Sequence, residues 1–322
     1  MTQFGYTAMC EQTPARQLIT DLAAAEEAGF DFSVMSDHYF PWLEDMGHSP
    51  YTWSVLGAAA QATSRLPLMT FVTCPTFRYH PAVVAQKAAT IGVLSGGRFT
   101  LGLGAGENLN EHVVGGGWPA PRIRHQRLTE AVQIIRELFT GEYVNFSGDH
   151  FQVERAKLFD LPDSPVPIGI AVSGPDSVQL AAEHGDAMIT TEPEASLVDS
   201  YNKAGGAGKP KYAQLAVSYD ADEAAARARA RQLWRWATPG WHVMAELPEP
   251  RSFDAASSLI REEDITELVP CGPDIAVHVA AAKKFLDAGF THLALVQVGG
   301  DQQDKFVSWA ASELLPALRE LR

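Results

Sequence analysis

Eight short apolar runs, each about as long as a strand and each separated by helical patterning, constrain this chain more than any other feature. They are FGYTA (4–8), FSVMS (32–36), LMTFVT (68–73), FTLGLG (99–104), VPIGIAV (166–172), DAMITT (186–191), YAQLAVSY (212–219) and HLALVQV (292–298). Between them lie stretches such as PARQLITDLAAAEEAG (14–29) and PAVVAQKAATIGVLSGG (81–97), in which apolar residues recur at three and four and a glycine ends the pattern. Two junctions, EEAGFDF (26–32) and LDAGFTH (286–292), pass from helix through glycine into strand in the same manner. Alternation of this kind predicts a parallel sheet, and eight units predict an α/β fold of the closed (β/α)8 TIM type with loop insertions. An open doubly wound sheet is the alternative. With 322 residues and 46% apolar content, the chain suffices for one large domain over residues 1–322.

Charge narrows the partners. A net charge of -14, from 39 acidic against 25 basic residues, argues against nucleic acid and against an anionic membrane surface. No apolar run reaches the length of a membrane span, and MTQFGYTAMCEQ has neither the basic start nor the apolar core of a signal peptide, so a cytoplasmic protein is expected. Cys10, Cys74 and Cys271 are odd in number and lack metal-ligand spacing, which predicts apolar fillers, no disulfide framework and no metal site.

In a barrel of this type, chemistry gathers where the strands end. The second run continues as SDHYFPW (36–42), placing Asp37, His38 and Trp42 just past a buried strand, where polar groups need partners or a ligand. Capping by Asp37 and a polar niche for His38 would be the structural reading of an isolated pair. The fourth run continues as GLGAGENLNEH (102–112) and delivers Glu107, Asn108 and Asn110 to the same rim. Its glycines lack the lysine of a phosphate loop and the full dinucleotide spacing. The third run leads into a loop bounded by Pro75 and Pro81, and SGPDSV (173–178) opens a helix whose free amides would suit an anion.

Four segments, SDHYFPW (36–42), CPTFRYHPAVVAQ (74–86), GAGENLNEHVVGGGWP (104–119) and GGDQQDKF (299–306), together resemble the luciferase-like family of deazaflavin oxidoreductases. Within it they are similar to the subgroup typified by the coenzyme F420-dependent glucose-6-phosphate dehydrogenases. The resemblance implies a TIM-type barrel, coenzyme F420 across its mouth, a small-molecule substrate, and a homodimer. It implies His38 as the acid/base at a carbinol or carbonyl carbon, for which an imidazole of ordinary pKa is suited. Trp42 would offer its indole N–H to the substrate oxygen, and Glu107 would manage charge at the deazaflavin. Asp37, Phe71, Val72, Cys74, Asn110, Val172, Ser173 and Gly174 match cofactor-contacting positions, with a cis peptide between Phe71 and Val72. Glu11 matches an acid of the family pocket.

Departures bear on the substrate. The basic residues that hold a sugar phosphate in that subgroup fall here on Glu194, on the neighbourhood of Val243 and Met244, and on Thr266, while Trp241 and His242 suggest a more aromatic pocket. A non-phosphorylated carbinol or carbonyl compound is therefore expected. The alternatives are an FMN-dependent luciferase-like monooxygenase, a non-catalytic F420-binding protein, and a metal-dependent barrel hydrolase, whose usual HxH strand end is absent.

Overall fold

A computed structural model describes residues 2–321; of the expected 1–322 domain, Met1 and Arg322 lie outside the described residues. The barrel strands are β1 (Gln3–Ala8), β2 (Phe32–Met35), β3 (Leu68–Thr70), β4 (Phe99–Leu103), β7 (Ile168–Ala171), β8 (Ala187–Thr190), β9 (Lys211–Val217) and β10 (His292–Gln297). A two-stranded antiparallel hairpin, β5 (Val144–Ser147) with β6 (Gln152–Ala156), is inserted after the fourth barrel strand. All eight barrel strands pair in parallel, and the sheet closes through β1, which pairs with β2 on one side and β10 on the other. The expected barrel is therefore the observed fold, and the open doubly wound alternative falls to that closure.

Local chemistry explains the repeating unit. Helix α1 (Ala15–Ala28) turns Leu18, Leu22 and Ala25 inward and stops at Gly29, whose φ of 87° is open to glycine at little cost. The Gly29 N–H satisfies the Ala25 and Glu26 carbonyls, and the chain enters β2 three residues later. Gly289, with φ 94°, repeats the device before β10. Inside the barrel, Phe32, Val34, Met69, Ile189 and Ala294 form a filled core, with Phe71, Val72, Ala171 and Tyr212 packed against it.

The structure differs from the sequence reading in three places. The third run was expected to continue to residue 73, but β3 ends at Thr70; the Phe71–Val72 peptide that follows is cis, as the resemblance implied, and Thr73 rejoins as a single bridge to Leu103. The β5–β6 hairpin went unread, because its strands are short and carry exposed Asn145, Gln152 and Glu154 in place of an apolar run. The interval between β9 and β10 is much longer than its counterparts. Its helices include Glu223–Trp234, Pro250–Ser257 and Glu262–Thr266, and they build a second apolar core with the loop after β2. That core joins Trp42, Leu43, Trp234, Trp236, Phe253 and Ile265. No helix of the described residues is long and apolar enough to cross a membrane.

Strand contact in the barrel is tight enough to be tested. A Cβ added to Gly102 would lie 1.9 Å from the Thr70 carbonyl oxygen, a backbone atom that cannot step aside. Gly174 has nothing within 4 Å of its added Cβ, and its φ of -177° suits any residue. Gly102→Ala should cost about 3 kcal/mol or more through overpacking, and Gly174→Ala close to nothing. Urea unfolding monitored by circular dichroism checks the contrast.

Candidate active site

The rim at the strand ends carries two sets of buried charge. The first centres on His38, in the loop after β2 and 9% exposed. Its Nδ1 lies 2.9 Å from Glu11 Oε1, a close but bent contact, and its Nε2 lies 3.3 Å from Glu107 Oε1. Glu11, 1% exposed, comes from the turn after β1, and its other oxygen accepts from the Ser36 hydroxyl at 2.6 Å. Glu107 opens helix α4 (Asn108–Glu111), and its Oε1 accepts from Asn110 Nδ2 at 2.6 Å. Asn110 Oδ1 in turn accepts from the Tyr39 and Phe40 amides, at 2.6 and 3.0 Å, which ties the loop after β2 to the loop after β4.

This geometry alters the chemistry expected of His38. Burial alone would disfavour the imidazolium, but the Glu11 and Glu107 carboxylates outweigh it, against some opposition from Arg78, and raise His38 to about 9. At neutral pH the ring therefore holds its proton, where the sequence reading assumed an ordinary imidazole. Burial would likewise raise Glu11; the imidazolium and the Ser36 hydroxyl more than offset it and leave this carboxyl below its usual range.

The second set centres on Asp37, whose side chain is 0% exposed. Its Oδ2 accepts from Trp53 Nε1 at 3.0 Å and Thr73 Oγ1 at 2.7 Å; its Oδ1 accepts from Tyr79 Oη at 3.2 Å and Arg78 Nη2 at 3.3 Å. Four protein donors occupy this carboxylate, so the side chain expected at the cofactor is committed to the scaffold. Arg78 also meets Glu111, its backbone N–H donating to Oε2 at 2.9 Å. Burial lifts Glu111 to about 7 against the pull of Arg78.

The remaining expected residues divide. Trp42 is 7% exposed, stacked on Trp236 with centroids 4.2 Å apart and edge-on to His38 at 4.8 Å. Phe71 and Val72 stand half-buried at the mouth, and Val172 is buried beside it, its N–H donating to the Ile189 carbonyl. Cys74 is buried, and desolvation pushes its thiol well up, as expected of a filler. The Ser173 and Gly174 amides are not free: both donate to Ser177 Oγ, at 3.0 and 3.2 Å, within the first turn of the Pro175–His184 helix. Glu194 is an exposed residue preceding the Ala195–Tyr201 helix, and Thr266 turns its hydroxyl back to the Glu263 carbonyl. Trp241, Val243 and His242 are exposed on a short turn whose next residues dock on the loop after β4, the Asn108 amide donating to the Ala245 carbonyl. The structure thus gathers His38, Trp42, Glu107 and Glu11, and leaves Glu194 and Trp241 outside that cluster. Beside it, Phe40, Glu44 and His48 face Pro250 and Arg251 across a cleft of about 450 Å³.

Sequence reasoning missed Arg78, Glu111, Ser36 and Trp236. Arg78 and Glu111 sat inside the very motifs that drew attention, as the arginine of TFRYHP and the last acid of GENLNE, where a charged residue just past an apolar strand run was the available signal. Trp236 offered none, being one of several tryptophans in LWRWATPGWH.

A parallel barrel with its polar cluster at the strand ends defines the class, and comparison with known proteins gives the family. Residues 2–292 match the family described as luciferase-like monooxygenase, and the chain belongs to it. The chain is 38% identical over 338 residues, 99% of its own length and 97% of the relative's, to the F420-dependent glucose-6-phosphate dehydrogenase of Nakamurella multipartita. It is 36% identical over 342 residues, 100% of both chains, to F420-dependent glucose-6-phosphate dehydrogenase 2 of Rhodococcus jostii. Among solved structures, an F420-dependent secondary alcohol dehydrogenase in complex with an F420-acetone adduct superposes with a TM-score of 0.91 at 30% identity, covering 99% of each chain. The F420-dependent tetrahydromethanopterin reductase of Methanopyrus kandleri, at 21% identity and a TM-score of 0.78, shares the fold.

The ion-pair geometry predicts a titration. His38 held above its unfolded value stabilises the fold fully below about pH 6.5, and that contribution is lost as pH rises through about 9. At about 1.4 kcal/mol per unit, a few kcal/mol are at stake. Glu11→Gln removes the larger carboxylate influence, so the His38 ring, followed by NMR, should titrate lower than in the parent, and the loss of stability between pH 7 and 9.5 should shrink.

Proposed function

We propose that this chain is a coenzyme F420-dependent oxidoreductase that moves hydride between the deazaflavin and a carbinol or carbonyl carbon. The observation that carries the reading is the Glu11–His38–Glu107 chain beneath Trp42, in a protein whose relatives are named as F420-dependent dehydrogenases. The mouth fits a planar, largely apolar ring. Phe71, Val72 and Ala171 stand half-buried above the barrel's inner core, and Gly104 brings the loop after β4 so near that an added Cβ would lie 2.7 Å from Val72 Cγ2. These residues, with Val172, would floor the ring, and Glu107 would face it with a charge held by Asn110. When bound, the deazaflavin supplies or accepts the hydride.

The protein's part is the proton. With both flanking carboxylates in place, His38 holds a proton at neutral pH and can give it to a carbonyl oxygen; after losing it, the same nitrogen can take the hydroxyl proton of a carbinol. Glu11 fixes the ring from behind and stabilises the imidazolium. Trp42, held between Trp236 and His38, limits water and orients whatever lies over the imidazole. The relatives' names pull against one expectation: the curated relatives are named for glucose 6-phosphate, so a non-phosphorylated substrate gains no support from them. The substrate is accordingly defined by its reacting carbon, and both glucose 6-phosphate and uncharged secondary alcohols belong in the screen. We further propose a cytoplasmic homodimer. Three buried, free cysteines are compatible with a reducing compartment, and light scattering of the purified protein would measure the subunit count.

F420 should bind more tightly than FMN in a fluorescence titration; binding of FMN alone would overturn the assignment in favour of a flavin monooxygenase. His38→Ala should lower turnover by about 10² to 10⁴ while cofactor affinity stays near that of the parent. Because the acid form of His38 persists to about pH 9, carbonyl reduction should hold up to that pH and then decline, whereas carbinol oxidation should climb toward it. Rate profiles in both directions check the sign.

A further inference from the structure

Arg78 has no part in the scheme above, yet its side chain is only 7% exposed and its contacts are aimed at the catalytic loop. Nη2 donates to the Asp37 carbonyl oxygen at 2.5 Å and lies 3.3 Å from the Asp37 carboxylate. The guanidinium sits over the Tyr79 ring at 4.6 Å, and Tyr79 itself donates to Asp37. On its other side, Nε is 3.6 Å from Glu111 Oε1, and the backbone N–H bonds Glu111 Oε2. Asp37 directly precedes His38 in the chain, so the guanidinium grips the peptide that carries the imidazole.

We propose that Arg78 is a positioning residue: through Asp37 it holds the His38 peptide in place, and its charge offsets the field of Glu11 and Glu107 on the imidazole. This rests on the reading of His38 as the proton carrier. A buried arginine suits the task because its planar fork can meet a carbonyl and a carboxylate together and it does not deprotonate. The charged and titratable groups facing the pair come from every neighbouring element. Glu11 and Cys10 follow β1; Asp37 follows β2; Cys74 and Tyr79 follow β3. Glu107 and Glu111 follow β4, and Lys87, on the helix Pro81–Leu94, reaches the Tyr79 ring at 3.3 Å. Arg78 opposes the imidazolium, in the sense that offsets the two carboxylates. Removing its charge should therefore strengthen proton binding at His38. Releasing Arg78 from one of its own carboxylates should weaken it.

The experiment follows the His38 ring by NMR titration in cofactor-free protein, alongside kcat in the F420 reaction, for Arg78→Gln, Arg78→Lys and Glu111→Gln. Arg78→Gln should raise the His38 midpoint, by on the order of half a unit or more. Glu111→Gln should lower it. Arg78→Lys keeps the charge and should leave the midpoint near that of the parent, while kcat falls about tenfold because an ammonium cannot reproduce the fork. A merely structural role would not move the midpoint in opposite directions. A folded Arg78→Gln protein that titrates like the parent overturns the proposal. Should that variant not fold, an unmoved midpoint in Glu111→Gln, or an unchanged kcat in Arg78→Lys, overturns it instead. Because the titration needs no cofactor, failure of the oxidoreductase reading would appear separately, as absent F420 turnover in the parent protein.

Discussion

Closure of the sheet is the constraint on which the rest depends. Once β1 pairs with both β2 and β10, every strand runs the same way around one cylinder, and every strand delivers its C-terminal end to one rim. The turn after β1 then lies beside the loop after β2, which is how Glu11 and His38 meet although 26 residues separate Cys10 from Ser36, their hydrogen-bonded neighbours. Pairing of β3 with β2 and β4 brings Arg78 between Asp37 and Glu111 by the same logic. No single loop could assemble these charges, because they come from four strand ends: Glu11 after β1, Asp37 and His38 after β2, Arg78 after β3, and Glu107 and Glu111 after β4.

Burying so many charges in one rim is tolerable only if each is matched. Each of the two sets puts one cation between two carboxylates: His38 between Glu11 and Glu107, and Arg78 between Asp37 and Glu111. Each carboxylate excess is offset by neutral donors, with Ser36 and Asn110 serving the first set and Trp53, Thr73 and Tyr79 the second. The division of labour follows from the cations. A guanidinium keeps its charge at any working pH and so can act as a fixed strut, whereas an imidazolium can release its proton and so can take part in a reaction.

Much of this was legible before any coordinates, and the reason is periodicity. Fully buried strands such as FSVMS and HLALVQV read as continuous apolar runs, and helices that end at Gly29 and Gly289 carry their own stop signal. Residues at strand ends, among them His38 and Glu107, stood out because polar groups abruptly followed apolar runs. Partners supplied from elsewhere in the fold did not. Nothing in the sequence near Asp37 announces that Trp53, Thr73, Arg78 and Tyr79 will consume its carboxylate, or that Ser177 will occupy the Ser173 and Gly174 amides. Position along the chain predicted location at the rim, and only the packed structure assigns what each side chain is committed to.

The same distinction separates the part of the rim built by the sheet from the part built by an insertion. Glu11, His38, Asp37, Arg78 and Glu107 all stem from the first four barrel strands, whose geometry is locked by the sheet. Trp42 is different: it leaves that frame and is clamped by Trp236 and Phe253, which belong to the long interval between β9 and β10. An indole stacked within 2° of parallel on a partner from another element can be displaced only by moving that element. His38 and its flanking carboxylates are thus anchored at the strand ends of the barrel, while the indole beside the imidazole is held by the helices between β9 and β10, which are tied to the rim by bonds such as Ser218 N–H to the Pro270 carbonyl and Asn108 N–H to the Ala245 carbonyl.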